Sequence, residues 1–194
     1  MKKFELTSEF VTFLGKKLFR IKALVAFGDV EEGELGGFVE KEENLDQSGD
    51  AWVSGNARVS GDAWVSGDAQ VFGDAWVSGD AQVFGDARVS GDARVSGDAR
   101  VFGDAQVFGD ARVSGDAHIQ CCRDCSAASC FGSENRTTTF FREKDGGIGV
   151  RCGCFYGTMS EFREKVKERH GDSRLAKEYL MLADLMEFRL SKDE

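Results

Sequence analysis

The chain has 194 residues, a formal net charge of −9, 41% hydrophobic residues, six cysteines and no proline. That balance suffices for a buried core and excludes a strongly basic nucleic-acid binder, a disordered polar chain and, with no apolar run of about 18 residues, a membrane-spanning helix. The charge is uneven: −3 over residues 1–46, −6 over 47–118 and zero over 119–194.

Met1-Lys2-Lys3 runs into Phe4-Glu5-Leu6-Thr7 rather than an apolar stretch, so no secretory leader is expected. A cytoplasmic location with reduced thiols follows. Apolar runs over residues 10–14 and 18–25 flank Gly15-Lys16-Lys17 and predict a β-hairpin. Residues 1–46 read as an N-terminal β cap.

From Val53 to His118 one six-residue unit recurs eleven times: Val, Ser or Phe, Gly, Asp or Asn, Ala, and a variable residue. A fixed short period marks a solenoid, and a period of six opened by an aliphatic residue predicts a parallel β-helix. In Arg58-Val59-Ser60 the valine points inward and its neighbours outward. Gly-Asp then makes the corner, and the small Ala returns to the interior. Three units make a triangular coil, so residues 47–118 form about four coils.

Taking every third unit sorts the outward side chains into three faces. Face one carries Trp52, Gln70, Phe72, Arg88, Gln106 and Phe108, and face three carries Trp64, Gln82, Phe84, Arg100, Phe102 and His118. Face two shows Arg58, Trp76, Arg94 and Arg112 beside a column of serines. Clustered outward aromatics mark an interface, so Trp64, Phe72, Phe84, Phe102 and Phe108 are the expected oligomer contacts. Arg58, Trp76, Arg94 and Arg112 are the expected site for an anionic ligand or an acidic protein patch, held by charge and stacking. The corners place eleven Asp and one Asn in columns from Asp50 to Asp116. Turn formation explains them; cation binding between stacked carboxylates and an acidic mimic of nucleic acid, inhibiting a nucleic-acid-binding protein, are the alternatives they leave open.

Residues 119–194 leave the repeat. Residues 137–142 and 148–152 flank Lys144-Asp145-Gly146-Gly147, a hairpin with an Asp-Gly turn. Thr158 with Glu161 forms a capping box for a helix to about Arg169, stopped by Gly171. A second helix over 173–190 is apolar at Leu175, Tyr179, Leu182, Met186 and Leu190. The expected module is ββαα. Cys122, Cys125, Cys152 and Cys154 form a weak candidate set for structural zinc, against the plainer reading of ordinary thiols with no cofactor.

The [Leu/Ile/Val]-x-x-x-[small]-x pattern resembles the hexapeptide-repeat left-handed β-helix superfamily. Gly33-Glu34-Leu35-Gly36-Gly37-Phe38-Val39, the Gly-Asp-Ala repeats and the closing Cys-Gly-Cys-Phe together resemble uncharacterised repeat proteins of phages, prophages and gut bacteria. The resemblance implies a single-stranded left-handed parallel β-helix, mainly β, and a homotrimer with parallel axes in which each subunit uses two faces. Phage context implies sequestration of a host factor, such as an immune protein or its nucleotide signal, without direct nucleic-acid or membrane binding. The superfamily also contains acyltransferases using coenzyme A, whose catalytic His sits on a loop interrupting the coils. His118 is the one candidate for that role here, and no loop interrupts residues 53–118.

Overall fold

The computed structural model describes residues 2–191. Strands β1 (Phe4–Phe13) and β2 (Lys16–Ala23) form the expected antiparallel hairpin. Strand β3 (Leu35–Val39) pairs antiparallel with β2 on one side and parallel with Arg58–Val59 on the other, joining hairpin to solenoid. Twelve two-residue rungs follow, one per six-residue unit, from Trp52–Val53 to His118–Ile119. Each rung stacks on the one 18 residues along, as Gln70 pairs Arg88 and Arg88 pairs Gln106, and the three resulting parallel sheets are the three faces read from the repeat.

The solenoid has about five turns, one more than the repeat announces. Residues 35–45, assigned above to the cap, form its first coil: Phe38–Val39 pair Arg58–Val59, and Leu45 bridges Val65. Its aliphatic residues keep their places, Val39 against Val59 and Leu45 against Val65, but they stand 20 residues back rather than 18, so the six-residue period does not reach them. A Cβ on Gly37 would stand 2.6 Å from the Ala57 carbonyl and 2.8 Å from Val53 Cγ1.

Inside, the valines and alanines of successive coils form fully buried columns. At the corners glycine is obligatory: Gly79 has φ +71°, and a Cβ there would lie 2.9 Å from the Gly97 amide nitrogen one coil on. Gly79→Ala should therefore destabilise the protein by more than the ~1–2 kcal/mol of left-handed backbone strain, because the stacked backbone must also move. Urea unfolding followed by circular dichroism measures it.

The ladder has a polarity that dictates how its ends are closed. Each coil donates N–H groups to carbonyls of the next, as from Arg58 to Ala75 at 2.9 Å and from Ser60 to Val77 at 3.0 Å. The first coil is thus left with orphan carbonyls and the last with orphan amides. Donors close the first end. Buried Lys3 Nζ reaches the carbonyls of Ser48, Gly49 and Ala51 at 3.3, 3.2 and 2.9 Å, and buried Asn44 Nδ2 those of Gly61 and Ala63 at 3.0 and 2.8 Å. Acceptors close the other: Thr139 Oγ1 takes the Arg112 amide at 2.9 Å, and Asp124 Oδ2 takes the amides of Gln120 and Cys121 at 3.0 and 3.1 Å.

The C-terminal module is larger than ββαα. Four antiparallel strands, Cys125–Phe131, Arg136–Arg142, Ile148–Cys152 and Phe155–Thr158, pair in chain order and precede helices α1 (Met159–His170) and α2 (Arg174–Leu190). The expected capping box forms, with Glu161 N donating to Thr158 Oγ1 at 3.3 Å and Thr158 N to Glu161 Oε2 at 2.8 Å. The two extra strands escape sequence reading because Ser126-Ala127-Ala128-Ser129 carries no large apolar alternation and Phe155–Thr158 is only one turn from the hairpin before it. The sheet closes the solenoid like a lid. Phe141 points into the solenoid core and Phe140 into the core beneath the helices, both fully buried.

Candidate functional site

Face two carries the expected cationic residues, and the structure places them in one column: Arg58, Trp76, Arg94 and Arg112 occupy adjacent rungs. They do not share one environment. The N-terminal hairpin continues this sheet and brings Phe13 onto it, edge-on to Trp76 with ring centroids 5.0 Å apart. The Arg58 guanidinium lies 4.5 Å from the Phe13 ring centre. Trp76 Nε1 donates to Ser60 Oγ at 3.2 Å, and Arg94 approaches its ring at 5.9 Å. Arg58 and Trp76 thus bind the hairpin tip to the solenoid, while Arg94 and Arg112 remain exposed. Lys16 near that tip donates to Glu40 at 2.8 Å, and Glu40 also accepts the Gly61 amide at 2.6 Å; these two bonds hold the Glu40 carboxyl below the usual carboxylate range.

Faces one and three keep their aromatics outward. Trp64 is 43% exposed, Phe72 38% and Phe108 65%. Phe84 and Phe102 stack at 5.1 Å with planes 9° apart, and His118 meets Phe102 edge-on at 4.7 Å. Only the first rung of face one departs from expectation. Trp52 is buried beneath Phe4 and Phe27, whose rings lie 6.5 and 5.4 Å away.

The structure places His118 at the end of the aromatic column, half-buried, beside a shallow concavity that Gln120, Asp124, Arg142 and Lys144 also line. Arg142 Nε stands 2.8 Å from Asp124 Oδ1, off the N–H direction, a charge contact rather than a hydrogen bond. The cysteines are not brought together. Cys125 packs against the solenoid core, where burial pushes its thiol up to about 12, whereas Cys152 lies on the helix side of the same sheet and accepts from Thr138 Oγ1 at 3.2 Å. Cys122 is exposed near the Asp104 carbonyl and Cys154 is exposed on the module. Among the described residues no three His, Cys, Asp or Glu side chains converge on a common point.

Two features of the C-terminal module went unannounced by the sequence. Helix α2 buries Tyr179, Leu182, Met186 and Leu190 as its spacing predicts, yet Met181, Leu185 and Phe188 form a second, exposed stripe on the same helix. A cavity of about 390 Å³ opens between α1 and the end of the sheet. Its lining comes from four separate segments, so no local motif signals it.

Among known families, the repeat is similar to the YdcK beta-solenoid repeat. The match covers residues 48–67, 81–96, 93–107 and 105–120, which take in rungs and the corners beside them. No curated protein matches the chain. The family likeness and the stacked rungs agree that this is a β-solenoid repeat protein.

Proposed function

We propose that the chain is a non-enzymatic binding protein that works as a homotrimer, with faces one and three as the subunit contacts. The observation that carries this reading is the unequal treatment of the three faces. Face two is partly occupied by the chain's own hairpin through Phe13, whereas Trp64, Phe72 and Phe108 stand exposed on the other two beside the Phe84–Phe102 stack. Outward aromatics on two adjoining faces suit a three-fold assembly in which each subunit offers two.

In that assembly Arg94 and Arg112 stay open on the third face to hold an acidic protein patch or small anion. With the resemblance to phage and prophage repeat proteins, the function proposed is sequestration of a host factor in the bacterial cytoplasm. Phe84→Ser combined with Phe108→Ser should convert trimer to monomer in sedimentation equilibrium with circular dichroism unchanged. A double variant that remains trimeric would overturn the assignment of these faces.

A further inference from the structure

The cavity in the C-terminal module shares no residue with the solenoid faces. Phe162, Val166 and Tyr179 are buried at its floor and Phe155 is half-buried beside them. The Phe162 ring stands 5.7 Å from Phe155 and 5.9 Å from Tyr179, so aromatic surface lines one side continuously. The His170 ring lies over Tyr179 at 5.7 Å and 27°, so a ligand ring would enter beside it, along Phe155 and Phe162 to the Tyr179 edge.

The mouth is cationic. Lys165 and Arg169 project from α1 four residues apart, and Arg136 lies opposite, its guanidinium along the backbone of Gly153. Against these three positive charges the lining contributes a single carboxylate, Glu134. Arg136 meets Glu134 only at 3.6 Å, and Lys165 pairs with Glu168 at 2.7 Å along the exposed helix surface. Such solvent-exposed pairs hold their partners weakly, so an incoming anion can take them over. Among the described residues Arg169 makes no ion pair. An aromatic floor under a basic rim, in a volume of about 390 Å³, is the size of a small-molecule site.

We propose that this cavity binds a small molecule consisting of a flat unsaturated ring bearing an anionic group, the ring against Phe155, Phe162 and Tyr179 and the anion at Arg136 and Arg169. The inference goes beyond the reading of the solenoid faces and stands whether the chain is a trimer or a monomer. Two sources supply that chemistry, an aromatic carboxylate, with charge one bond from the ring, and a nucleoside monophosphate, with its phosphorus about six bonds from the base.

The test is calorimetric titration of the full-length protein with adenosine monophosphate and with benzoate. Their neutral counterparts, adenosine and benzamide, and inorganic phosphate, which lacks the ring, serve as comparisons. At least one of the two anionic probes should bind with a dissociation constant below about 1 mM, and its neutral counterpart and phosphate at least about tenfold more weakly. Which probe binds tells phosphate from carboxylate. Arg136→Gln with Arg169→Gln should weaken binding about tenfold or more, and Cys154→Trp, which fills the mouth from an exposed position, should abolish it. No binding of either probe would overturn the proposal, as would binding unchanged in the Arg variant. If the Arg variant fails to fold, binding retained by Cys154→Trp overturns it instead.

Discussion

Phe141→Ala should lower the stability of the protein by about 3–5 kcal/mol, the cost of emptying a fully buried phenylalanine site. The loss is placed where it does most damage, because Phe141 is the side chain by which the C-terminal sheet seals the solenoid core, on the strand whose Thr139 also accepts the Arg112 amide. Without that plug the last coil faces water on its open end. In hydrogen exchange the amides around residues 100–119 should lose protection before those around 52–77, since repeat arrays open from an exposed end. Phe140→Ala provides the contrast: its ring packs edge-on to Phe162 at 5.9 Å, so it should loosen the helices while leaving exchange in the rungs near that of the unaltered protein.

At the opposite end, Lys3→Met should cost about 2–4 kcal/mol, since it keeps the apolar stem but strips donors from three carbonyls that the ladder leaves orphaned. Burial lowers the Lys3 pKa from 10.5, outweighing the upward pull of Asp46, Asp50 and Asp68. The native state therefore holds this proton less firmly than the unfolded chain does. Stability from this group should accordingly rise with pH on the approach to 10.5. Urea midpoints of the two proteins measured from pH 7 upward should therefore move apart, the unaltered protein gaining on the Met variant, whose residue 3 does not titrate. A flat difference between the two proteins across that range would show that burial does not govern Lys3.

What the residues disclosed in advance follows from which interactions are local. The rungs, corners and faces were legible because each is set within six residues by Val, Gly-Asp and Ala, and stacking multiplies that pattern without adding information. Both helices were legible for the same reason, α1 through Thr158 with Glu161 and Gly171, and α2 through the spacing of Tyr179, Leu182, Met186 and Leu190. The first coil was hidden because Val39 and Leu45 stand 20 rather than 18 residues before Val59 and Val65, and Glu40-Lys41-Glu42-Glu43-Asn44 replaces the Gly-Asp-Ala corner between them. The end caps were hidden because Lys3 acts across 45 to 48 residues of sequence and Asn44 across 17 to 19. The same limit holds for the sites. The Arg column on face two was readable from the period, but not that Phe13 would cover its first half, and the cavity under α1 draws on residues from 133 to 179.

The ladder's polarity ties these parts together. A parallel solenoid ends in carbonyls at one side and amides at the other, and this chain meets the first with an amine and an amide donor and the second with a hydroxyl and a carboxylate. With both ends closed chemically, the solenoid cannot lengthen by end-to-end stacking, and its open surfaces are the lateral faces. In the trimer proposed above, association runs through Trp64, Phe72 and Phe108 on those faces.

Native mass spectrometry of the purified full-length chain tests that claim most directly. The account predicts a single species at three times the 21.2 kDa of one chain. A monomer at concentrations of tens of micromolar, with its exposed phenylalanines still in water, would contradict it.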